Sequence, residues 1–169
     1  MSQQDDVRHL LDLEAIKALK GEYFLYLDTK DWEAWRELFT EDFVAEGTRQ
    51  PPGAGRDVFV DGVKAALEGV QTCHQGHTPI LQLTGPDSAR GVWAMSDELL
   101  FPNGHPWSEG HRRRVGYGHY EEEYRRDGSE WRISFLRLVR LWVWRDGDRP
   151  MVEGGIPSSG RSWLEQGRK

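Results

Sequence analysis

The sequence predicts an α+β fold, in which a curved and mostly antiparallel sheet wraps around three N-terminal helices. Apolar residues recur at helical spacing up to Gly69, and beyond it apolar and polar residues alternate. Turn-forming residues divide the alternating part into four long segments. Helices followed by a run of strands are typical of α+β proteins. A chain of 169 residues is also long enough for one domain with a substantial core.

The first helix is predicted from His9 to Leu27. Its apolar residues recur every three or four positions and form one face of an amphipathic helix, which comprises Leu10, Leu13, Ile16, Leu19, Tyr23 and Leu27. Residues 1–8 are polar, and we expect them to fray.

Two shorter helices are expected to follow. The second runs from Trp32 to Phe39, and either Thr29 or Asp31 can cap its first turn. The third runs from Val58 to Glu68, with Asp57 as the residue that can cap it. A glycine directly after Glu68 then ends this helix.

Five strands are predicted. A short one lies at residues 43–47, and four longer ones lie at residues 72–84, 89–101, 111–126 and 131–145. The segment 146–169 is rich in glycine and proline, and we interpret it as an extended C-terminal tail. One domain at residues 8–145 is therefore expected. A curved sheet rolled around helices leaves a pocket at its open end, lined by the first helix and the concave face of the sheet.

The composition excludes several classes of partner. A net charge of −6 argues against nucleic acid, and the chain has no run of about 18 apolar residues that could span a membrane. One cysteine and no visible signal peptide fit a reducing cytoplasm. The basic run at residues 112–114, followed by the acidic run at 121–123, is interpreted as a solvated strand face. Eight tryptophans suggest a wide interior, an oligomer contact or both.

Asp97 is a candidate functional acid, because it alternates along one strand with large apolar residues. The face that it shares consists of Trp93, Met95, Leu99 and Phe101. A carboxylate is costly to ionise in such surroundings, so we expect its pKa to be raised and the side chain to stay protonated. The alternative is a slipped register that turns Asp97 to solvent.

His74 is a candidate base, because histidine titrates near neutral pH. It could equally be a structural histidine bonded to backbone, which is our interpretation of His77 beside Pro79. On a regular strand the two histidines point to opposite faces, which makes a poor chelate. With a single cysteine and no further histidine cluster, no metal site is expected.

Three further polar residues have both a functional and a structural interpretation. Tyr23 can donate a hydrogen bond to a substrate oxygen or to a backbone carbonyl. Asp28 can orient His74 or can simply end the first helix. Arg140 alternates with Leu138 and Trp142, and its guanidinium needs an acid, an anionic substrate group or an outward position in an interface.

Several stretches of the chain resemble SnoaL-like proteins of the nuclear transport factor 2-like superfamily. These stretches are Asp12–Tyr23, Leu27–Trp32, Trp35–Phe43, Cys73–Pro79, Gly91–Met95 and Tyr120–Ile133. The resemblance covers about residues 8–145 and implies a cone-shaped α+β barrel around a hydrophobic pocket.

Within that superfamily the chain is most similar to the branch of scytalone dehydratase, bile-acid dehydratase and hexachlorocyclohexane dehydrochlorinase. These enzymes eliminate water or HCl without a cofactor, using an Asp–His pair at the positions of Asp28 and His74. Tyr23 and Asp97 match a tyrosine and a second acid of the bile-acid enzyme, and Arg140 is a weaker match. The second histidine of the scytalone enzyme is missing, so that substrate is not expected.

The resemblance implies a dehydratase-like lyase that needs no cofactor and acts on a hydrophobic ring ketone, either steroid-like or polyketide-like. In it His74 removes a proton, Tyr23 stabilises the developing oxyanion and a protonated Asp97 protonates the leaving hydroxyl. The pocket is shaped by Trp35, Trp93, Met95 and Phe101. An isomerase or cyclase acting on a similar ring, or a protein that only binds a small molecule, remains an alternative.

A homo-oligomer, either a dimer or a trimer, is also expected. Trp142 and Trp144 lie on a strand whose two faces cannot both be covered by one small core. Exposed apolar patches of this kind usually mark interfaces.

Overall fold

The computed structural model describes residues 3–147 and 161–167, without the side chains of residues 161 and 162. The helices are α1 (Gln3–Thr29), α2 (Trp32–Glu37), α3 (Arg56–Ala66) and α4 (Arg161–Gln166), with a 3₁₀ turn at Pro106–Ser108. The strands are β1 (Phe39–Glu46), β2 (Ala54–Gly55), β3 (Gln71–Gly85), β4 (Ser88–Leu100), β5 (Arg113–Asp127) and β6 (Glu130–Arg145).

The predicted α+β architecture is confirmed. The six strands form one open sheet in the order β2-β1-β6-β5-β4-β3. Strands β3 to β6 are consecutive antiparallel neighbours, whereas β1 pairs in parallel with β6. The sheet and the N-terminal helices together enclose the hydrophobic core in a cone-like arrangement.

Helix α1 is longer than predicted and starts at Gln3 instead of fraying through residue 8. Its buried stripe contains Ile16, Leu19, Tyr23 and Leu27 as expected, but Leu10 is exposed. At the level of Leu10 the helix has passed the edge of the core. Two residues further along, Asp12 is buried instead and accepts hydrogen bonds from Arg126 and Trp131.

The two short helices confirm one predicted cap and correct two other details of the prediction. Asp31 caps α2 by accepting a hydrogen bond from the amide of Ala34. Phe39 is not helical but begins β1, because β6 pairs with the chain there in parallel. The N-cap position of α3 is Gly55, and Asp57 instead lies in the first helical turn, where it pairs with Arg36.

The C-terminal segment is not uniformly extended. Arg161–Gln166 forms α4, and Trp163 within it is only 3% exposed. Its ring stacks on Phe135 with a centroid separation of 5.2 Å, on the convex face of the sheet. The prediction of an extended tail is therefore wrong for this helix, while residues 148–160 and 168–169 lie outside the described part of the chain.

A β-bulge in β6 reverses the side-chain alternation near its end. Tyr117 pairs with Trp142 and Gly118 pairs with Arg140, so Leu141 is the extra residue. Leu138 and Arg140 face the concave side, but Trp142 points outward and stacks on Tyr117 at 4.3 Å. The prediction that Trp142 shares the face of Arg140 is wrong, because simple alternation does not account for the bulge.

Candidate active site

A cavity of about 330 Å³ opens between the N-terminal helices and the concave face of the sheet. Its wall is largely apolar and includes Leu27, Phe59, Leu99 and Leu136. Two of the four residues predicted to shape a substrate pocket, Trp35 and Phe101, also line it. The cavity therefore offers an apolar chamber of the size of a small ring system.

His74 and Asp28 are in direct contact at the wall of this cavity. His74 Nδ1 lies 2.7 Å from Asp28 Oδ1, and the His74 backbone amide donates to Asp28 Oδ2 at 2.7 Å. The Thr72 hydroxyl donates to the same carboxylate at 2.8 Å, and Lys30 donates to that hydroxyl at 2.6 Å. Asp28 thus holds β3 against the end of α1, whereas capping of α2 is left to Asp31.

The protonation of the pair follows from these bonds. Burial raises the pKa of Asp28, but hydrogen bonds from the His74 side chain and backbone outweigh it, so the pKa is lowered. An ionised carboxylate only accepts hydrogen bonds, so Nδ1 of His74 carries the hydrogen. This tautomer leaves Nε2 as the basic nitrogen of a side chain that lines the cavity.

Tyr23 and Tyr120 form the inner end of the cavity. Both side chains are buried, they are hydrogen-bonded to each other, and their ring centroids lie 5.9 Å apart. Burial raises the pKa of both hydroxyls above its ordinary value, so both stay protonated at neutral pH. Tyr120 was not predicted as a site residue, although it alternates with Gly116 and Gly118 on one face of β5 and could have been found from that pattern.

Asp97 faces the cavity as predicted, but it is not protonated. Its side chain is 2% exposed and Arg140 Nη2 lies 2.5 Å from its Oδ2. Burial raises the pKa of Asp97, but the guanidinium of Arg140 outweighs burial and lowers it. The predicted proton donor is therefore an ionised partner of Arg140. The prediction failed because Arg140 comes from β6, two strands away from Asp97.

Gly116 makes room for this ion pair. It lies on β5 between the two strands and is the register partner of Asp97. A Cβ atom at this position would lie 2.5 Å from Asp97 Oδ1 and closer still to the Arg140 guanidinium. Only glycine therefore lets the two side chains meet across the central strand.

Trp93 and Met95 lie on the predicted face of β4 but do not line the cavity, which corrects their assignment to the substrate pocket. Trp93 is buried deeper in the core, and its Nε1 donates to the Tyr124 hydroxyl at 2.7 Å. Met95 packs against Arg140, 3.8 Å from Nη1. Helix α1 covers this end of the sheet, since Phe24 packs closely against it near Gly76.

A second ion pair lies beneath the cavity and was missed by the sequence analysis. Lys20 and Glu122 are both fully buried, with Nζ and Oε1 2.5 Å apart. Lys20 Nζ also lies 3.7 Å from the ring centre of Tyr23 and 3.9 Å from that of Tyr120. Glu121 and Glu122 of the acidic run are thus buried, whereas Arg112 and Arg113 of the basic run are exposed as expected for a solvated strand face.

The remaining candidates do not add to this site. His77 is exposed, and its Nε2 lies 3.4 Å from the Ser96 hydroxyl. Among residues 3–147 and 161–167, no group of three or more His, Cys, Asp or Glu side chains is arranged to hold a metal ion. None of the helices in these ranges is long and apolar enough to cross a membrane.

A family model and several solved structures match this chain. The model of the SnoaL-like domain matches residues 8–137, a span that contains Tyr23, Asp28, His74 and Asp97. A protein of unknown function from Mycobacterium tuberculosis is 24% identical, with a TM-score of 0.66 over 83% of this chain and 76% of that one.

Two further solved structures share the fold at lower identity. A candidate scytalone dehydratase from Novosphingobium aromaticivorans is 16% identical, with a TM-score of 0.75 over 90% of this chain and 99% of that one. A hexachlorocyclohexane dehydrochlorinase from Novosphingobium barchaimii is 16% identical, with a TM-score of 0.68 over 88% and 99%. Similarity at this level establishes the fold and not the activity.

Proposed function

Because the chain belongs to the SnoaL-like domain family, within the nuclear transport factor 2-like superfamily, we propose that it is a cofactor-independent acid–base enzyme. Its proposed activity is that of a dehydratase-like lyase on a hydrophobic cyclic small molecule. The observation that carries this proposal is the 2.7 Å contact between His74 Nδ1 and Asp28 at the wall of an apolar cavity. Dehydratase and dehydrochlorinase names among the similar structures support the same reaction class.

The first step is removal of a carbon-bound proton. His74 Nε2 takes a proton from the carbon next to a ring carbonyl, and Asp28 stabilises the imidazolium that forms. The electron pair of the C–H bond moves towards the carbonyl, whose oxygen becomes an enolate. The hydroxyls of Tyr23 and Tyr120, both protonated, are the donors available for that oxygen at the inner end of the cavity.

The second step is departure of the hydroxyl group on the next carbon. The enolate electrons form the C=C bond while the C–O bond breaks. The charge of Arg140 keeps Asp97 ionised, so Asp97 has no proton to donate. The proton therefore comes from the imidazolium of His74, which returns to its neutral form as water leaves. Positioned acid–base groups of this kind contribute about 10²- to 10⁴-fold in rate.

The ionised Asp97 also favours a second candidate function. An isomerase or cyclase moves a proton from one carbon of a ring to another and needs a base and an oxyanion donor, but no acid for a leaving group. His74 and the two tyrosines supply those groups. A protein that only binds its ligand would use the same cavity, but its behaviour would not depend on His74 as a base.

A panel of β-hydroxy ring ketones tests the proposal, with formation of the conjugated enone followed by ultraviolet absorbance. We expect turnover by the wild type and a loss of about 10²- to 10⁴-fold in His74→Gln. His77→Gln is the matched control, because His77 lies on the same strand but is exposed and outside the cavity. Full turnover by His74→Gln would exclude it as the base, and rearranged ketones without enone would indicate an isomerase.

The predicted homo-oligomer stays a prediction. Tyr117 and Trp142 stack on the convex face of the sheet, where Tyr117 remains exposed. Light scattering of the purified protein measures its molecular mass, and Trp142→Arg is expected to shift that mass towards the monomer if this face is the contact.

A further inference from the structure

The charged side chains around the cavity are mostly cationic. Four arginines line it, and Asp97 is the only carboxylate among the described residues of the lining. The excess is notable because the chain as a whole has a net charge of −6. Arg140 pairs with Asp97. The other three, Arg49, Arg114 and Arg145, are called here the arginine cluster, and the carboxylate of Glu109 pairs with two of them.

The arginine cluster lies at the open end of the cavity. Arg49 follows β1 and its side chain is 41% exposed, while Arg145 is the last residue of β6. Both pair with Glu109, at 2.9 Å and 3.3 Å respectively. The guanidinium of Arg49 also lies 5.0 Å from the ring centre of Trp107, another residue of the cavity wall.

Arg114 and Arg145 face each other on neighbouring strands. They are register partners in the antiparallel pair of β5 and β6, and both line the cavity. Like charges in directly opposed positions destabilise a sheet. Glu109 offsets this repulsion in part by pairing with Arg145, and an anion held between the two guanidinium groups would reduce it further.

Arg114 also has unused hydrogen-bonding capacity. Its Nε atom is buried and has no hydrogen-bond partner among the described residues. Burial lowers the pKa of Arg114 to about 10, with the charge of Asp97 opposing this shift and the charges of Arg140, Arg49 and Arg145 adding to it. It is still charged at neutral pH, and a buried donor without a partner costs free energy unless a ligand satisfies it.

We propose that the arginine cluster binds an anionic group of the ligand, with a carboxylate as the chemistry that its forked donors fit best. The apolar ring of the ligand then lies deeper, between Trp35 and Phe101, where His74 can reach it. This inference rests on the proposed function only in placing the ligand in this cavity, and it narrows the substrate class to ring molecules that carry an acid.

Two fluorescent probes with the same ring system test this inference without any turnover. Anilinonaphthalene sulfonate carries an anionic group, and N-phenylnaphthylamine lacks it. We expect the wild type to bind the sulfonate roughly tenfold more tightly than the neutral amine, since a charge-assisted hydrogen bond contributes on that scale. The preference is expected to fall as salt is added, because the cluster is partly solvated.

Substitution of the cluster locates the effect. Arg114→Met is expected to weaken sulfonate binding roughly tenfold and to leave binding of the neutral amine unchanged. Arg36→Met is the matched control, because Arg36 pairs with Asp61 on the outer surface and does not line the cavity. Arg49→Met, at an exposed position, provides a second variant in case Arg114→Met does not fold.

Three results would overturn the inference: equal affinity of the wild type for both probes, equal weakening of both probes by the cluster variants, or no binding of either probe. The outcome is separable from that of the proposed function, because the probe assay measures binding and needs no turnover. Loss of the preference for the sulfonate alongside intact His74-dependent turnover would remove the anion site and leave the enzyme proposal standing.

Discussion

Two of the ion pairs, Lys20–Glu122 and Asp97–Arg140, differ in what surrounds them. Lys20 and Glu122 join α1 to β5 and are both 0% exposed. Asp97 and Arg140 join β4 to β6 across Gly116, and the Arg140 side chain is 28% exposed. The two contacts have the same length, 2.5 Å, so their geometry alone does not distinguish them.

The difference lies in the remaining bonds of each pair. Lys20 is enclosed by aromatic rings, and the second oxygen of Glu122 accepts a hydrogen bond from Tyr124. Asp97 Oδ1 is buried at the wall of the cavity, and no residue in the described part of the chain forms a hydrogen bond with it. Both oxygens of Glu122 accept hydrogen bonds within the core, whereas Asp97 keeps one acceptor oxygen at the wall of the cavity. We therefore assign a structural role to the first pair and a ligand-facing role to the second.

The largest expected effect concerns the buried pair of Lys20 and Glu122. Lys20→Met leaves Glu122 buried without its cation, which is expected to lower the free energy of unfolding by about 3–5 kcal/mol. Urea denaturation measures this change. Lys17→Met is the control, because its partner Glu14 is exposed, and a change within about 0.5 kcal/mol is expected there. A Lys20→Met protein as stable as the wild type would show that the pair of Lys20 and Glu122 has no structural role.

A smaller loss is expected when the space between Asp97 and Arg140 is filled. Gly116→Ala places a methyl group against both side chains and is expected to cost about 1–3 kcal/mol. Turnover and probe binding should fall as well, because the pair separates. Gly21→Ala is the control, since no atom of the described residues would lie within 4 Å of a Cβ there and alanine favours the helix. An unchanged Gly116→Ala protein would contradict the role given to this glycine.

Asp97→Asn tests whether the Asp97–Arg140 pair matters more for turnover than for stability. The amide keeps the shape of the carboxyl but removes its charge, and Arg140 can still reach water through the cavity. The expected loss of stability is therefore only about 1–2 kcal/mol, less than for Lys20→Met. Turnover should fall strongly even though the free energy of unfolding falls only by this amount. A variant with normal turnover and greatly reduced stability would reverse the assignment of the two pairs.

The pH dependence of stability gives the smallest expected effect. The pKa of Asp97 is lowered in the folded protein, so its contribution is present above the unfolded value of about 3.9. It is lost as the pH falls through the lower folded value. The difference in unfolding free energy between the wild type and Asp97→Asn should therefore shrink from about pH 6 to about pH 3. A constant difference over this range would mean that folding leaves the pKa of Asp97 unchanged, and a difference that grows as the pH falls would mean that folding raises it.

Local patterns in the sequence predicted the order of the first three helices and of the five longer strands, but neither the two-residue strand β2 nor α4. The alternating strands and the amphipathic first helix appear where periodicity places them, because each depends on a few neighbouring residues. The contact of Asp28 with His74 was also expected. The charge state of Asp97 was not, because its partner lies 43 residues further along the chain and two strands away in the sheet.

Long-range packing explains the other differences. Lys20 is buried because an acid from β5 meets it, although its position on α1 alone gives no sign of that partner. The bulge at Leu141 turns Trp142 outward, and a single extra residue in a strand leaves little trace in the alternation. Trp93 and Met95 lie on the correct face of β4, but the packing of α1 decides which part of that face borders the cavity.

The central claim is that His74 removes a carbon-bound proton from a ketone in the cavity, and deuterium exchange tests it most directly. Cyclic ketones that displace the fluorescent probe are incubated with the protein in D₂O, and deuterium next to the carbonyl is measured by mass spectrometry. The account predicts exchange above the buffer rate for the wild type and His77→Gln, and its loss in His74→Gln. Binding of these ketones without exchange, or equal exchange by His74→Gln, would contradict it.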